Sequence, residues 1–257
     1  MIKMEVKTII VFFKYQDLNS WCGKELLSKG GTIIWAGYDI LQQTGDDGTK
    51  WDEIMLADYS DEDSYNDIIE QLAKKDQLKN CKVLLVDRYP DAQMDKINNF
   101  LRSFTKKIVD TKEGISMEEA FDDSHLNETP EARELFAKRD PNKPFINMSI
   151  NKYYVKAAYP EDYNGDKNIS GKEAYKLYGR AVVQYQGIYG AQLDVAGRFK
   201  NTVVGNKDDD WDEFVLVRFP NMRAIVNIYS AKAMQDNLVH REAGLERTFV
   251  YTITPYE

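Results

Sequence analysis

Short apolar runs rich in β-branched and aromatic residues alternate with segments of helical periodicity along the chain. In the first third, strand-like runs at 7–16, 32–43, 51–59 and 81–89 enclose helical segments at 20–30 and 60–78. The last third repeats this order, with strand-like runs at 145–154, 191–205, 211–219 and 247–256 and helical segments at 171–188 and 222–234. Each set predicts a β-α-β-β-α-β unit.

The two units share residues as well as a pattern. Trp51-Asp52-Glu53 recurs as Trp211-Asp212-Glu213, and in the same ungapped register glycines of the first unit fall on glycines of the second. The matching glycines are Gly30, Gly37 and Gly45 against Gly190, Gly197 and Gly205. A repeated triplet with matching glycines indicates a divergent tandem repeat.

This order predicts an α+β fold built from two ferredoxin-like repeats, over residues 1–90 and 144–257. A ferredoxin-like sheet carries both helices on one face, so its other apolar face must be covered by something else. We therefore predict that the two sheets pack on each other within one chain, as an intramolecular dimeric α/β-barrel. The charged, helix-prone residues 91–143 are predicted to form a helical connector with two or three helices.

Composition narrows the possible partners. An apolar fraction of 43% is ample for packed cores, and a net charge of −8 argues against nucleic acid or an anionic membrane as the main partner. No apolar run approaches the ~20 residues of a membrane span. The only cysteines, Cys22 and Cys81, form neither a disulfide framework nor a CxxC pair. We therefore expect a cytoplasmic protein.

The second half resembles the uncharacterised DUF1330 family of the dimeric α/β-barrel superfamily. The residues that carry the resemblance are SGKEAYKLYG at 170–179, DDDWDEFVLVRFPN at 208–221 and HREAGLE at 240–246. The first half matches only through its likeness to the second and has no counterpart of HREAGLE. Ser149 stands where the family has Asn in its first strand, so the sequence departs from the family pattern there.

The resemblance implies a fold more than a chemistry. Relatives in the superfamily include cofactor-free monooxygenases, lactone isomerases, polyketide cyclases, haem enzymes and plain ligand-binding domains, and a fold alone does not choose among them. In most relatives two chains pair to form the barrel. The tandem repeat here implies a monomer that supplies both halves, although a homodimer is the alternative.

HREAGLE supplies the candidate catalytic residues. His240 could act as a general acid or base near neutral pH, and the guanidinium of Arg241 could hold a substrate carboxylate or enolate. The alternative is structural, with Arg241 paired to Glu242 and His240 capping a turn. Because the first repeat lacks this motif, we predict that any active site lies in the second repeat only.

Substrate-binding candidates are Trp211, Asp212, Tyr178 and Glu242. Trp211 could line a pocket with Asp212 at its mouth, but retention of the same pair in the first repeat favours a core tryptophan and a carboxylate that binds backbone. Tyr175 and Tyr178, spaced i and i+3 on one helix, are predicted to pack, with one hydroxyl facing a ligand.

We expect neither a metal nor a cofactor. Residues 162–173, DYNGDKNISGKE, resemble an EF-hand calcium loop, but Lys167 replaces the glycine of its sharp turn and the preceding segment predicts a strand. Haem would have to use His240 or His125. Dinucleotide-binding, P-loop, zinc-protease and serine-hydrolase motifs are absent from the sequence.

Two functions follow as hypotheses. One is a cofactor-independent enzyme that acts on a small, partly apolar molecule by proton transfer, as an isomerase, cyclase or lyase, with His240 and Arg241 as its groups. The other is a non-catalytic module that binds or senses a small molecule in the same cavity. An imidazole that opens into the cavity would favour the enzyme.

Overall fold

The computed structural model describes residues 6–16, 23–45, 48–74, 78–105, 134, 138–207 and 209–256. Its strands are β1 (Lys7–Tyr15), β2 (Thr32–Thr44), β3 (Glu53–Tyr59), β4 (Leu78–Arg88), β5 (Phe145–Tyr153), β6 (Gln192–Val204), β7 (Glu213–Phe219) and β8 (Leu245–Pro255). Its helices are α1 (Gly23–Leu27), α2 (Glu62–Lys74), α3 (Asp91–Thr105), α4 (Gly171–Ile188), α5 (Met222–Ser230) and α6 (Lys232–Gly244).

The strands close into one antiparallel barrel in the order β1-β3-β2-β8-β5-β7-β6-β4. Within each repeat the order is ferredoxin-like, β4-β1-β3-β2 in the first and β8-β5-β7-β6 in the second. The two sheets join along both edges, where β2 pairs with β8 and β4 pairs with β6. The predicted fold is confirmed, and closure leaves the barrel without the unpaired edge strands that promote aggregation.

Both repeats fill the barrel interior. Alternate residues of a strand point to opposite faces, so Ile10 of β1 and Met148 of β5 point inward together and are fully buried. Trp51 and Trp211 belong to the same interior cluster, with 5% and 3% of their surfaces exposed. The repeated tryptophan therefore anchors the core that the two halves share.

The repeated aspartate binds backbone at the end of each repeat's first strand. Oδ2 of Asp52 accepts a 2.8 Å hydrogen bond from the amide of Tyr15, and Oδ2 of Asp212 accepts a 2.8 Å hydrogen bond from the amide of Tyr153. A carboxylate at this position thus satisfies an N–H that the strand ladder leaves unpaired. The two contacts are equivalent, as expected of a tandem repeat.

The predicted divisions at residues 90 and 143 stay predictions. Helix α3 packs on α4 and β6 of the second repeat, and Asn98 exchanges hydrogen bonds of 2.9 and 2.8 Å with the backbone of Leu193. Most of the predicted connector, including His125, lies outside the described residues. Within the described ranges, no helix is long and apolar enough to cross a membrane.

Candidate functional site

A cavity of about 270 Å³ lies between the sheet of the second repeat and its helices. At ~30 Å³ per water molecule this is room for about nine waters, or for one small organic molecule. Strands β5, β7 and β8 form its floor, and α4, α5 and α6 cover it. The polar lining includes Gln43, Asn147, Ser149, Asn151, Tyr175, Tyr178, Arg241 and Thr248, and the apolar lining includes Val182, Val215, Val217, Phe219, Ile225, Ile228 and Val250.

The floor is polar where the first repeat is apolar. In the helix-facing layer of the first repeat, the residues at the equivalent strand-pairing positions form a dry hydrophobic cluster. Asn147, Ser149, Asn151, Thr248 and Thr252 stand where the first repeat has Ile9, Val11, Phe13, Cys81 and Leu85. The polar floor is held by hydrogen bonds of its own: Thr248 donates a 2.7 Å bond to Oδ1 of Asn151, and Asn147 donates a 3.0 Å bond to Oε1 of Gln43. These bonds offset the cost of burying polar groups at positions where the first repeat is apolar.

The strands at the two seams show the same difference: the end of β2 is polar where it lines the cavity of the second repeat, and the end of β6 is apolar where it packs into the first repeat. Gln43 and Thr44, at the end of β2, reach across the β2–β8 seam and line the cavity of the second repeat. At the other seam, the equivalent residues Val203 and Val204 of β6 pack into the apolar cluster of the first repeat. The candidate site is therefore built by both repeats, although its helices belong to the second repeat.

Two glycines bring the cavity-lining helices together. A Cβ added to Gly171, at the start of α4, would lie 2.5 Å from the carbonyl oxygen of Gly244, and one added to Gly244, at the end of α6, would lie 2.8 Å from the amide nitrogen of Tyr175. Only residues without a side chain permit this approach. The contact places Arg241, one turn before Gly244, beside the tyrosines of α4, which explains why both segments carry glycine.

Arg241 is the charged group of the cavity. It is 7% exposed, and its Nη1 donates a 2.9 Å hydrogen bond to Oε1 of the half-exposed Glu242. Burial opposes its charge, but the nearby acidic groups Tyr178, Tyr175 and Glu242 outweigh burial and raise the pKa of Arg241. The guanidinium is therefore charged at neutral pH, with five N–H donors.

Tyr175 and Tyr178 add neutral donors next to this charge. Their rings lie 5.5 Å apart, and burial raises the pKa of both phenols, that of Tyr178 strongly. Both hydroxyls are thus protonated at neutral pH and can donate a hydrogen bond to a ligand oxygen. Of the predicted site residues, Arg241 and Tyr178 are the two that the structure brings to the cavity.

His240 points to a different place. Its Nδ1 lies 2.7 Å from the hydroxyl of Tyr159, and its ring stands edge-on to the stacked rings of Tyr159 and Tyr163 in the loop before α4. His240 is not among the cavity-lining residues, because neighbouring residues of a helix point about 100° apart. Burial lowers the pKa of His240, so its imidazole is neutral at pH 7.

The other predicted site residues also lie away from the cavity. Trp211 packs in the barrel interior, 4.8 Å from the ring of Phe249, and Asp212 binds the backbone of Tyr153. Glu242 contacts the cavity only through Arg241. The structure therefore does not bring Trp211, Asp212 and Glu242, the predicted substrate-binding residues, together at the cavity.

In the predicted calcium loop, residues 162–173, the key carboxylate is already used by the start of a helix. Glu173, the residue that would be the bidentate ligand, closes a capping box at the start of α4: its Oε2 accepts hydrogen bonds of 2.9 and 2.8 Å from the amide and hydroxyl of Ser170. Among the residues that the structure describes, no group of three His, Cys, Asp or Glu side chains could hold a metal ion.

Sequence reasoning missed Gln43, Asn147 and Asn151. The signal was available in β5, where polar residues alternate with apolar ones at 147, 149 and 151, while β1 is apolar from Ile9 to Phe13. Comparing the first strands of the two repeats would have found it. The glycine-based register could not, because β1 and β5 lie outside the ungapped stretch.

Comparisons with known proteins agree with the predicted resemblance. The family described as Domain of unknown function (DUF1330) matches residues 165–252. None of the curated proteins matches the chain.

Solved structures give likenesses over half of the chain or nearly all of it. The protein of unknown function RPA0582 from Rhodopseudomonas palustris is 24% identical, with a TM-score of 0.47 over 52% of this chain and 98% of its own. A mutant chlorite dismutase from Candidatus Nitrospira defluvii is 11% identical, with a TM-score of 0.44 over 97% of this chain and 92% of its own. An anthrone oxidase-like protein is 5% identical, with a TM-score of 0.46 over 98% of this chain and 91% of its own. The resemblance to DUF1330 that the sequence predicts is confirmed by the family match over residues 165–252.

Proposed function

We propose that the second repeat binds a small, partly apolar organic anion in its cavity and that Arg241 holds the charged group of this ligand. The observation that carries the proposal is the replacement of an apolar layer by a polar one around a buried arginine. Five positions on this face of the sheet that are apolar in the first repeat are polar in the second, and four of them line the cavity. Polar side chains placed in this way can orient a ligand in a binding site.

Arg241 has donors to offer. Apart from the bond to Glu242, its side chain donates no hydrogen bond to the described residues. A buried guanidinium with most of its N–H groups unused is well suited to a carboxylate, which accepts two parallel hydrogen bonds from it. The hydroxyl of Tyr178, which donates none within the described ranges, can add a third donor.

Binding is favoured over catalysis by what lines the cavity. The lining contains Arg241 and tyrosines but neither a carboxylate nor an imidazole among the described residues, and proton abstraction near neutral pH usually needs one of these. His240, the predicted proton-transfer group, contacts Tyr159 instead. The chemistry of the cavity lining therefore supports ligand recognition first.

A cofactor-independent isomerase, cyclase or lyase acting on the same molecule is the second candidate. The observation in its favour is the pairing of a charged Arg241 with the protonated phenols of Tyr175 and Tyr178. Donors so arranged would stabilise an enolate oxygen as an oxyanion hole does. In this candidate Arg241 is the electrostatic partner, and the substrate or a water supplies the base.

Binding of carboxylates against neutral amides of the same shape tests the proposal. Hexanoate and benzoate should bind in calorimetry and raise the melting temperature, whereas hexanamide and benzamide should not. Arg241→Met should abolish carboxylate binding, and Arg223→Met, which removes an exposed arginine of α5, should leave it intact. Equal binding of acids and amides, or unchanged binding by Arg241→Met, would overturn the proposal.

The enzyme candidate has its own measurement. In deuterated water, catalysis would exchange the protons next to a ligand carbonyl faster than the buffer does, as seen by proton magnetic resonance. Exchange that Arg241→Met suppresses and Arg223→Met does not would establish proton transfer. Binding without exchange across keto acids of several chain lengths would leave a binding module.

A further inference from the structure

We infer that the ligand is a bifunctional acid: a carboxylate bound at Arg241 and, at the far end of a short apolar chain, a hydrogen-bond acceptor read by Gln43 of the first repeat. The inference rests on the proposed function and specifies its ligand. It makes Gln43 a specificity-determining residue that one repeat contributes to the site of the other.

The amide of Gln43 is oriented by its neighbour. Gln43 is 2% exposed, and its Oε1 accepts a 3.0 Å hydrogen bond from Nδ2 of Asn147 on β5. This bond uses the acceptor of Gln43, which lines the cavity, and its Nε2 donates no hydrogen bond to the described residues. The two N–H groups of Nε2 can therefore donate to a ligand oxygen in the cavity.

A second polar atom nearby also lacks a partner. Thr252 faces Asn147 in the β5–β8 register, and its Oγ1 is buried with no hydrogen-bond partner in the described part of the chain. The equivalent position of the first repeat is Leu85. The neighbourhood of Gln43 and Asn147 is therefore a second polar centre, distinct from Arg241.

The two centres lie at opposite ends of the cavity. Arg241 is one helical turn before Leu245, which pairs with Tyr153 at the end of β5, so the arginine lies over the Asn151 end of that strand. Asn147 is four residues away, which is about 13 Å along a strand at ~3.3 Å per residue. The side chains of Arg241 and Gln43 both reach into the cavity, so a ligand between them spans less than this distance.

Apolar side chains lie between the centres. Val217 and Val215 pair with Asn147 and Ser149 across β5 and β7, and Val250 pairs with Ser149 across β5 and β8. All three valines line the cavity. A chain of a few methylene groups would lie on them, with its carboxylate at Arg241 and its acceptor at Gln43.

Hexanoate and 5-oxohexanoate form a matched pair of probes for calorimetry with the full chain. They share chain length and carboxylate and differ in one carbonyl oxygen. One well-placed hydrogen bond to a donor that is otherwise unsatisfied corresponds to about tenfold in affinity, so 5-oxohexanoate should bind about tenfold more tightly than hexanoate. Gln43→Met, which keeps the length of the side chain and removes its donors, should erase this preference, whereas Arg223→Met should keep it.

A second variant guards against loss of the fold. Gln43→Val with Asn147→Ile installs the residues found at the equivalent positions around the apolar cluster of the first repeat, Val203 of β6 and Ile9 of β1, and should also erase the preference. Its melting temperature, measured alongside, shows that the fold is kept.

The outcomes separate the inference from the proposed function. Equal affinity of the two probes for the wild-type protein, or a preference that survives Gln43→Met, overturns the inference and leaves carboxylate binding by Arg241 standing. If neither hexanoate, benzoate nor 5-oxohexanoate binds, the proposed function fails and the inference fails with it. A tenfold preference lost in both variants establishes Gln43 as the residue that selects the ligand.

Discussion

The hydroxyl of Tyr89, just after the last strand of the first repeat, donates a 2.8 Å hydrogen bond to Oε1 of Glu213 in the second repeat. The symmetric contact also exists: the hydroxyl of Tyr256, just after the last strand of the second repeat, donates to Glu53 of the first. The glutamate of each Trp-Asp-Glu triplet therefore joins the two halves across a seam of the barrel. The repeated Trp-Asp-Glu triplet therefore makes the same contact between the halves in both repeats.

Tyr89→Phe should lower the free energy of unfolding by about 1–2 kcal/mol, because it removes one hydrogen bond to a charged, half-buried carboxylate. Urea denaturation measures this change. Tyr154→Phe is the matched control, since the Tyr154 hydroxyl makes no hydrogen bond with the described residues, and it should change stability little. Equal stability of Tyr89→Phe and wild type would show that the seam contact contributes nothing.

Asp52→Ala and Asp212→Ala should destabilise the protein to a similar extent. Each leaves a strand-end amide, of Tyr15 or Tyr153, without its 2.8 Å acceptor, at a cost of about 1–3 kcal/mol. Asp236→Ala, in an exposed pair with Lys232, should cost less than about 0.5 kcal/mol.

Asp212→Ala should also leave carboxylate binding intact, in contrast to the substrate role that its sequence position predicts. Loss of binding without loss of stability in Asp212→Ala, but not in Asp52→Ala, would restore that role.

The polar floor predicts opposite effects of one exchange in the two repeats. Ser149→Val gives the cavity the residue that the first repeat has at Val11, and it should raise the free energy of unfolding by about 1 kcal/mol. It should also weaken ligand binding, because it fills part of the cavity. The reverse change, Val11→Ser in the dry cluster, should lower stability by about 2–3 kcal/mol. Thermal and urea unfolding measure both, and a loss of stability in Ser149→Val would argue that Ser149 has a structural role.

Much of the architecture could be predicted because it follows from patterns that can be read along the sequence. Alternating strands, a repeated triplet and matching glycines determine the number of repeats, their element order and the uncovered faces that pack together. Edge-to-edge closure depends on pairings such as Thr44 with Val250, which join distant residues and leave no local pattern.

The site was harder to predict for the same reason. Arg241 and Tyr178 were found from a motif and a spacing, but Gln43 enters the cavity from the other repeat, across a seam that no sequence pattern marks. His240 and Arg241 are neighbours in sequence and serve different environments, because a helix turns about 100° between them. A motif indicates which residues are near one another and not which way each side chain points.

The imidazole of His240 should make the fold sensitive to acid. Burial raises the pKa of Tyr159 to about 12, so its hydroxyl is protonated, and it lies 2.7 Å from Nδ1 of His240. In the tautomer that carries its proton on Nε2, Nδ1 accepts this hydrogen bond. Protonation of His240 would remove this acceptor, and burial already lowers the pKa of His240 below its ordinary value of about 6.5. A histidine with a lowered folded-state pKa contributes stability that is fully present above about pH 6.5 and is lost as the pH falls through the folded-state pKa.

The wild-type protein should therefore lose more stability than His240→Phe between about pH 7.5 and about pH 5.5. Phenylalanine keeps a ring against Tyr159 and Tyr163 and does not titrate, and the carboxylate background is the same in both proteins. Urea unfolding at the two pH values measures the difference. His240→Phe should also keep carboxylate binding at pH 7.5, because the ring lies outside the cavity. An equal acid loss in both proteins would contradict the hydrogen bond to Tyr159, and loss of binding in a stable His240→Phe would return His240 to the active site that its sequence predicts.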